Sequence, residues 1–72
     1  MSLSDSLKRF RKAYKVTQRQ AADAAGVAER VYQSYEYGKV IPTATVLIAL
    51  ADSFDVSIDY LVGRTDNPKI NK

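Results

Sequence analysis

The stretch Thr17 to Lys39, TQRQAADAAGVAERVYQSYEYGK, reads as two short helices folded about a single glycine, Gly26. Thr17 can accept a hydrogen bond from the donors that a first helical turn leaves orphaned, and Gln20, three residues on, completes a capping box. A helix therefore starts at about Gln18. Ala21, Ala22 and Ala25 recur on one face, and Gly26 supplies the left-handed backbone that ends the helix without a Cβ clash. Val27 would tuck under the turn. The period restarts with Val31, Tyr32 and Tyr35, which leaves Glu29, Arg30, Gln33 and Ser34 on the opposite, polar side of the second helix.

Upstream, Ser2 or Ser4 can cap a first helix, with Asp5 favourable against its dipole and Leu3, Leu7, Phe10 and Tyr14 at core-facing steps. Arg11 follows Phe10 and belongs near the core's edge. Downstream, Gly38 closes the second helix of the pair, and Pro42 makes Val40 and Ile41 an extended link. Thr43 then caps a fourth helix whose buried stripe is Val46, Leu47, Leu50, Ala51 and Phe54. Asp55 takes its stop position, because aspartate tolerates a left-handed backbone. Ser57 caps a last short helix, with Ile58 and Leu61 inward and Gly63 as terminator. The residues from Arg64 show no period and read as a flexible tail over 64–72, after a single domain over 1–63. Tyr32 and Tyr35 stand opposite the small Ala21 and Ala25, an exchange that conserves core volume. The alternative use of these tyrosines, a stacking platform for single-stranded nucleic acid, fits their helical packing stripe less well.

At 72 residues the chain is one domain near the lower limit for a self-sufficient core, and it has no cysteine to staple it. With no histidine either, the common zinc-ligand sets and a serine–histidine nucleophile are excluded. Asp52, Asp55 and Asp59 read as a surface group, a helix stop and a dipole partner, and each glycine stands alone at a helix end rather than in a phosphate loop. Neither catalysis nor a cofactor or small-molecule ligand is expected. The chain has no apolar run of the ~18 residues that suggest a membrane span, so a cytoplasmic location is expected. Its net charge of +3 is uneven: 1–40 hold eight basic residues against four acids, and 41–72 hold three against four. The positive half carries the glycine-centred pair of helices, as a phosphate-binding face requires.

Two short helices joined by a tight glycine turn form the helix-turn-helix arrangement, whose second helix enters the DNA major groove. From about Leu7 to Gly63 the chain resembles the Cro/lambda-repressor type of DNA-binding domain. The resemblance is carried by Ala22, Gly26 and Val27 at the turn, by YQSYEYGK after it, and by the later run PTATVLIALADSFDVSIDYLVG. It implies an all-α, compact five-helix fold and a sequence-specific transcriptional regulator, a repressor in function, of double-stranded DNA. It also implies that Glu29, Arg30, Gln33 and Ser34 read base edges: Arg30 guanine, Gln33 adenine, and Glu29 the amino group of cytosine. Gln18, Tyr37 and Lys39 would touch phosphates, and Arg11 would pair with Glu36. One departure from the pattern is Ala28, where a hydroxyl residue commonly caps the recognition helix.

One recognition helix reads too few base pairs to single out a site, so a homodimer on an inverted-repeat operator is expected. Ile48, Ile58 and Val62 are left on or near the surface of the last two helices and supply a self-complementary patch. A helical protein-interaction module of antitoxin or co-regulator type is the alternative use of the same scaffold, and an apolar surface patch would mark it.

Overall fold

A computed structural model describes residues 2–65 and 67–69. Among them are five helices: α1 (Leu3–Ala13), α2 (Gln18–Ala25), α3 (Glu29–Glu36), α4 (Ala44–Phe54) and α5 (Ile58–Leu61). The start signals are local. Ser2, Thr17, Thr43 and Ser57 each accept a backbone N–H three residues on, and Thr17 and Gln20 form the complete capping box. Of the two serines proposed for α1, Ser2 is the cap. The α3 helix lacks this device, because Ala28 has no side chain to offer its first turn.

The stops differ in kind. Gly26 is left-handed at φ 74°, and Asp55 takes the same conformation at φ 54°. Lys15 is also left-handed, at φ 55°, in the turn between α1 and α2. No glycine or asparagine stands there to announce it, so this turn is a product of packing at its two ends.

The α2 helix packs on both α3 and α4, α1 packs on α3 and α5, and α4 packs on α5. Leu7, Phe10, Tyr32, Leu50 and Leu61 are completely or almost completely withdrawn from water, each stabilising the fold by about 1.5–3 kcal/mol. Phe10 meets Phe54 edge to face at 5.2 Å. The fold is thus held by a few large side chains around the small Ala21 and Ala22.

Four expectations are corrected. Tyr14 is 39% exposed rather than buried, because α1 ends before it, and its ring only leans on Phe10 and Tyr60. Val31 lies at the surface, one step off the Tyr32–Tyr35 stripe. In α5 the inward residues are Tyr60 and Leu61, whereas Ile58 faces solvent. The stretch after Gly63 is not helical, yet it does not hang free: the Ser57 N–H donates to the Pro68 carbonyl at 2.9 Å, and the Arg64 N–H to Asp59 at 2.8 Å. The rest of the expected tail, at 66 and 70–72, lies outside the described residues.

Candidate functional site

The α3 helix divides its residues as its period requires. Tyr32 and Tyr35 are buried with their rings edge to face, which removes them as a stacking platform, while Glu29 and Arg30 stand exposed and Gln33 and Ser34 half-buried beside them. Glu29 lies in the first turn, where a carboxylate is favoured by the helix dipole. The Ser34 hydroxyl donates to the Val31 carbonyl at 2.6 Å, so towards any ligand its oxygen can only accept. Tyr37 and Lys39 are exposed beyond the helix end. There the Lys39 N–H donates to the Ser34 carbonyl at 3.0 Å.

Beneath this face lies a chain of polar contacts. The Arg11 Nε donates to Glu36 Oε2 at 2.7 Å and its Nη2 to Oε1 at 3.1 Å, while its Nη1 donates to the Val16 carbonyl at 3.2 Å. Gln18 Nε2 adds a bond to Glu36 Oε1 at 3.2 Å, and Gln33 Nε2 donates to Gln18 Oε1 at 3.1 Å. Burial pushes the Glu36 carboxyl up, but the hydrogen bonds from Arg11 and Gln18, together with the nearby Tyr32 hydroxyl, outweigh it and hold the group below the ordinary carboxylate range. The same contact holds the Arg11 guanidinium above its ordinary value. The Tyr32 hydroxyl feels Glu36 strongly and is pushed well up by burial, but it makes no hydrogen bond of regular geometry. The arrangement ties the ends of α1 and α3 and the start of α2 into one frame.

The end of α1 and the starts of α2 and α3 also enclose an open concavity to which Lys12, Lys15 and Arg19 contribute, with Glu29 at its edge. The sequence shows these three cations but not their grouping, because the left-handed turn at Lys15 that brings them to one place carries no local signal. Gln18, expected to face phosphate, has its side chain turned inward to Glu36 and Gln33. Arg9 lies over the Tyr60 ring at 4.3 Å and donates to the Tyr60 carbonyl at 2.7 Å. Ile48 and Ile58 are exposed and Val62 is half-buried, on the mutually packed α4 and α5 and the residue that follows. Among the described residues no group of acidic side chains could hold a metal ion, and no helix is long and apolar enough to cross a membrane.

A helix-turn-helix family model matches residues 7–61. The chain is 42% identical over 62 residues to YobD, an uncharacterized HTH-type transcriptional regulator of Bacillus subtilis (strain 168), covering 86% of this chain and 55% of that protein. It is 41% identical over 64 residues to the cryptic phage CTXphi transcriptional repressor RstR of Vibrio cholerae serotype O1, covering 89% of this chain and 57% of that protein. The chain thus spans little more than half the length of these relatives. In fold it is similar to the solution structure of the DNA-binding domain of the P22 C2 repressor, with a TM-score of 0.81 at 24% identity over 99% of this chain and 92% of that one.

Proposed function

The chain belongs to the helix-turn-helix family, and on that premise we propose that it is a double-stranded DNA-binding transcriptional regulator, most simply a repressor, with α3 lying in the major groove. The observation that carries this reading is the exposed polar edge of α3, formed by Glu29, Arg30, Gln33 and Ser34 and braced from below by the partly buried Arg11–Glu36 pair. Arg30 offers a fork to guanine, Gln33 an amide to adenine, and Glu29 an acceptor to cytosine. Ser34 serves as an acceptor.

Phosphates on one side are met by Lys12, Lys15 and Arg19, and on the other by Tyr37 and Lys39. Gln18 contributes through its backbone N–H, which a first helical turn leaves without a helical partner. The binding unit is 1–63, and its work is placed in the cytoplasm. Binding to mixed duplex fragments should weaken steeply with salt, by about a thousandfold between 50 and 200 mM if six or more phosphates are neutralised. Binding indifferent to salt would sink the reading.

We further propose that two copies associate through Ile48, Ile58 and Val62. Their recognition helices would enter successive major grooves of an inverted repeat with half-sites about 10 base pairs apart. Sedimentation with a selected duplex should show two chains per duplex, and a one-to-one complex on an asymmetric site would refute the dimer.

A further inference from the structure

The polar chain under α3 has a direction, and that direction comes from its charged end. Glu36 is 2% exposed and ionised, so it can accept hydrogen bonds but donate none. Arg11 occupies both of its oxygens, and the Gln18 amide completes the set at Oε1. Gln18 must therefore turn its NH2 group to Glu36 and its oxygen away. That oxygen is met by Gln33 Nε2 at 3.1 Å. A reversed Gln33 amide would set two carbonyl oxygens against each other, so its polarity is decided as well. What Gln33 has left for a ligand is its second N–H and its carbonyl oxygen, in one fixed order.

We propose that Gln18 is a positioning residue that passes the acceptor-only character of Glu36 to Gln33, and so restricts the Gln33 amide to adenine at one operator position. The proposal rests on the DNA-binding reading above and deepens it. Adenine presents an N6–H donor beside the N7 acceptor in the major groove, the complement of an amide held in one orientation. An amide free to rotate by half a turn offers the opposite order equally well, and discriminates less. The fixed orientation also spares the cost of ordering the side chain on binding. Gln18 thereby acts on base choice without touching a base.

The test compares the wild type with Gln18→Met, which keeps the length of the side chain and removes its amide while leaving both Arg11–Glu36 bonds available. Gln18→Ala, favourable to helix, serves in its place should the methionine variant fail to fold. Without DNA, the side-chain NH2 resonances of Gln33 should be displaced from free-glutamine positions in the wild type and return to them in the variant. Resonances at free-glutamine positions in the wild type, or unchanged in the variant, would overturn the relay. With DNA, both proteins are used to select duplexes from a random pool. The variant should lose roughly tenfold in adenine preference at one position of each half-site and keep the others. An equal loss at every position would make Gln18 a phosphate contact, and an unchanged preference would show that Gln33 is not governed by it; either result overturns the proposal. A wild type that selects no duplex would defeat the DNA-binding reading and the base preference with it, while the resonances separately decide whether the amide is locked.

Discussion

Arg11 and Glu36 face each other across 25 residues of sequence in a two-bond contact of 2.7 and 3.1 Å, and the two ends of the pair are unequally shielded: the guanidinium is 22% exposed, the carboxylate 2%. Such a pair gains little over an apolar replacement, but breaking it leaves a buried charge alone. Arg11→Ala and Glu36→Ala should each destabilise by about 3 kcal/mol, with Arg11→Ala the worse, because the group it strands cannot reach water. Urea melts of both single variants and the double variant measure the coupling, and a value near zero would contradict the contact.

Acid should act on the same carboxylate. Glu36 titrates below its ordinary value of 4.5 in the folded protein, so above that pH both states carry the anion and the pair's contribution is fully present. As pH falls below 4.5 the unfolded chain takes up the proton first, and the contribution is lost as pH passes through the lower folded value. The stability difference between wild type and Glu36→Gln, followed by urea melts from pH 7 to pH 2.5, should therefore shrink only on the acid side. A difference independent of pH would refute this assignment.

Backbone handedness predicts two changes of opposite sign. A Cβ at Gly26 would meet nothing within 4 Å, but its φ of 74° strains any L side chain, so Gly26→Ala should destabilise by about 1–2 kcal/mol without a clash. Asp55 already bears part of that strain at φ 54°, and Asp55→Gly should stabilise by up to about 1 kcal/mol. Thermal melts would show the order Asp55→Gly, wild type, Gly26→Ala, and any other order would refute the argument.

Arg30 stands exposed on α3 and separates base reading from phosphate binding. Arg30→Ala should cost about 1–3 kcal/mol on the preferred operator and little on mismatched duplex, because a bidentate contact to guanine exists only on the right site. Titrations on both duplexes decide the matter; equal losses would reassign Arg30 to phosphate.

What the sequence determined by itself was most of what depends on neighbours within about four residues. The caps at Thr17, Thr43 and Ser57, the stops at Gly26 and Asp55, and the Leu7–Phe10 and Tyr32–Tyr35 stripes are local choices of backbone and period, and the folded chain keeps them. The approach of Arg11 to Glu36 was legible only through family resemblance, since nothing in either segment announces the other. The tertiary structure alone decided that Tyr60 rather than Ile58 turns inward, because a four-residue helix is too short to carry a period. It alone placed Arg9 on Tyr60 and turned Gln18 toward Gln33. Long polar side chains have many rotamers of similar energy, and the one adopted is selected by groups that lie 15 to 51 residues away in the chain and meet them only when the helices pack.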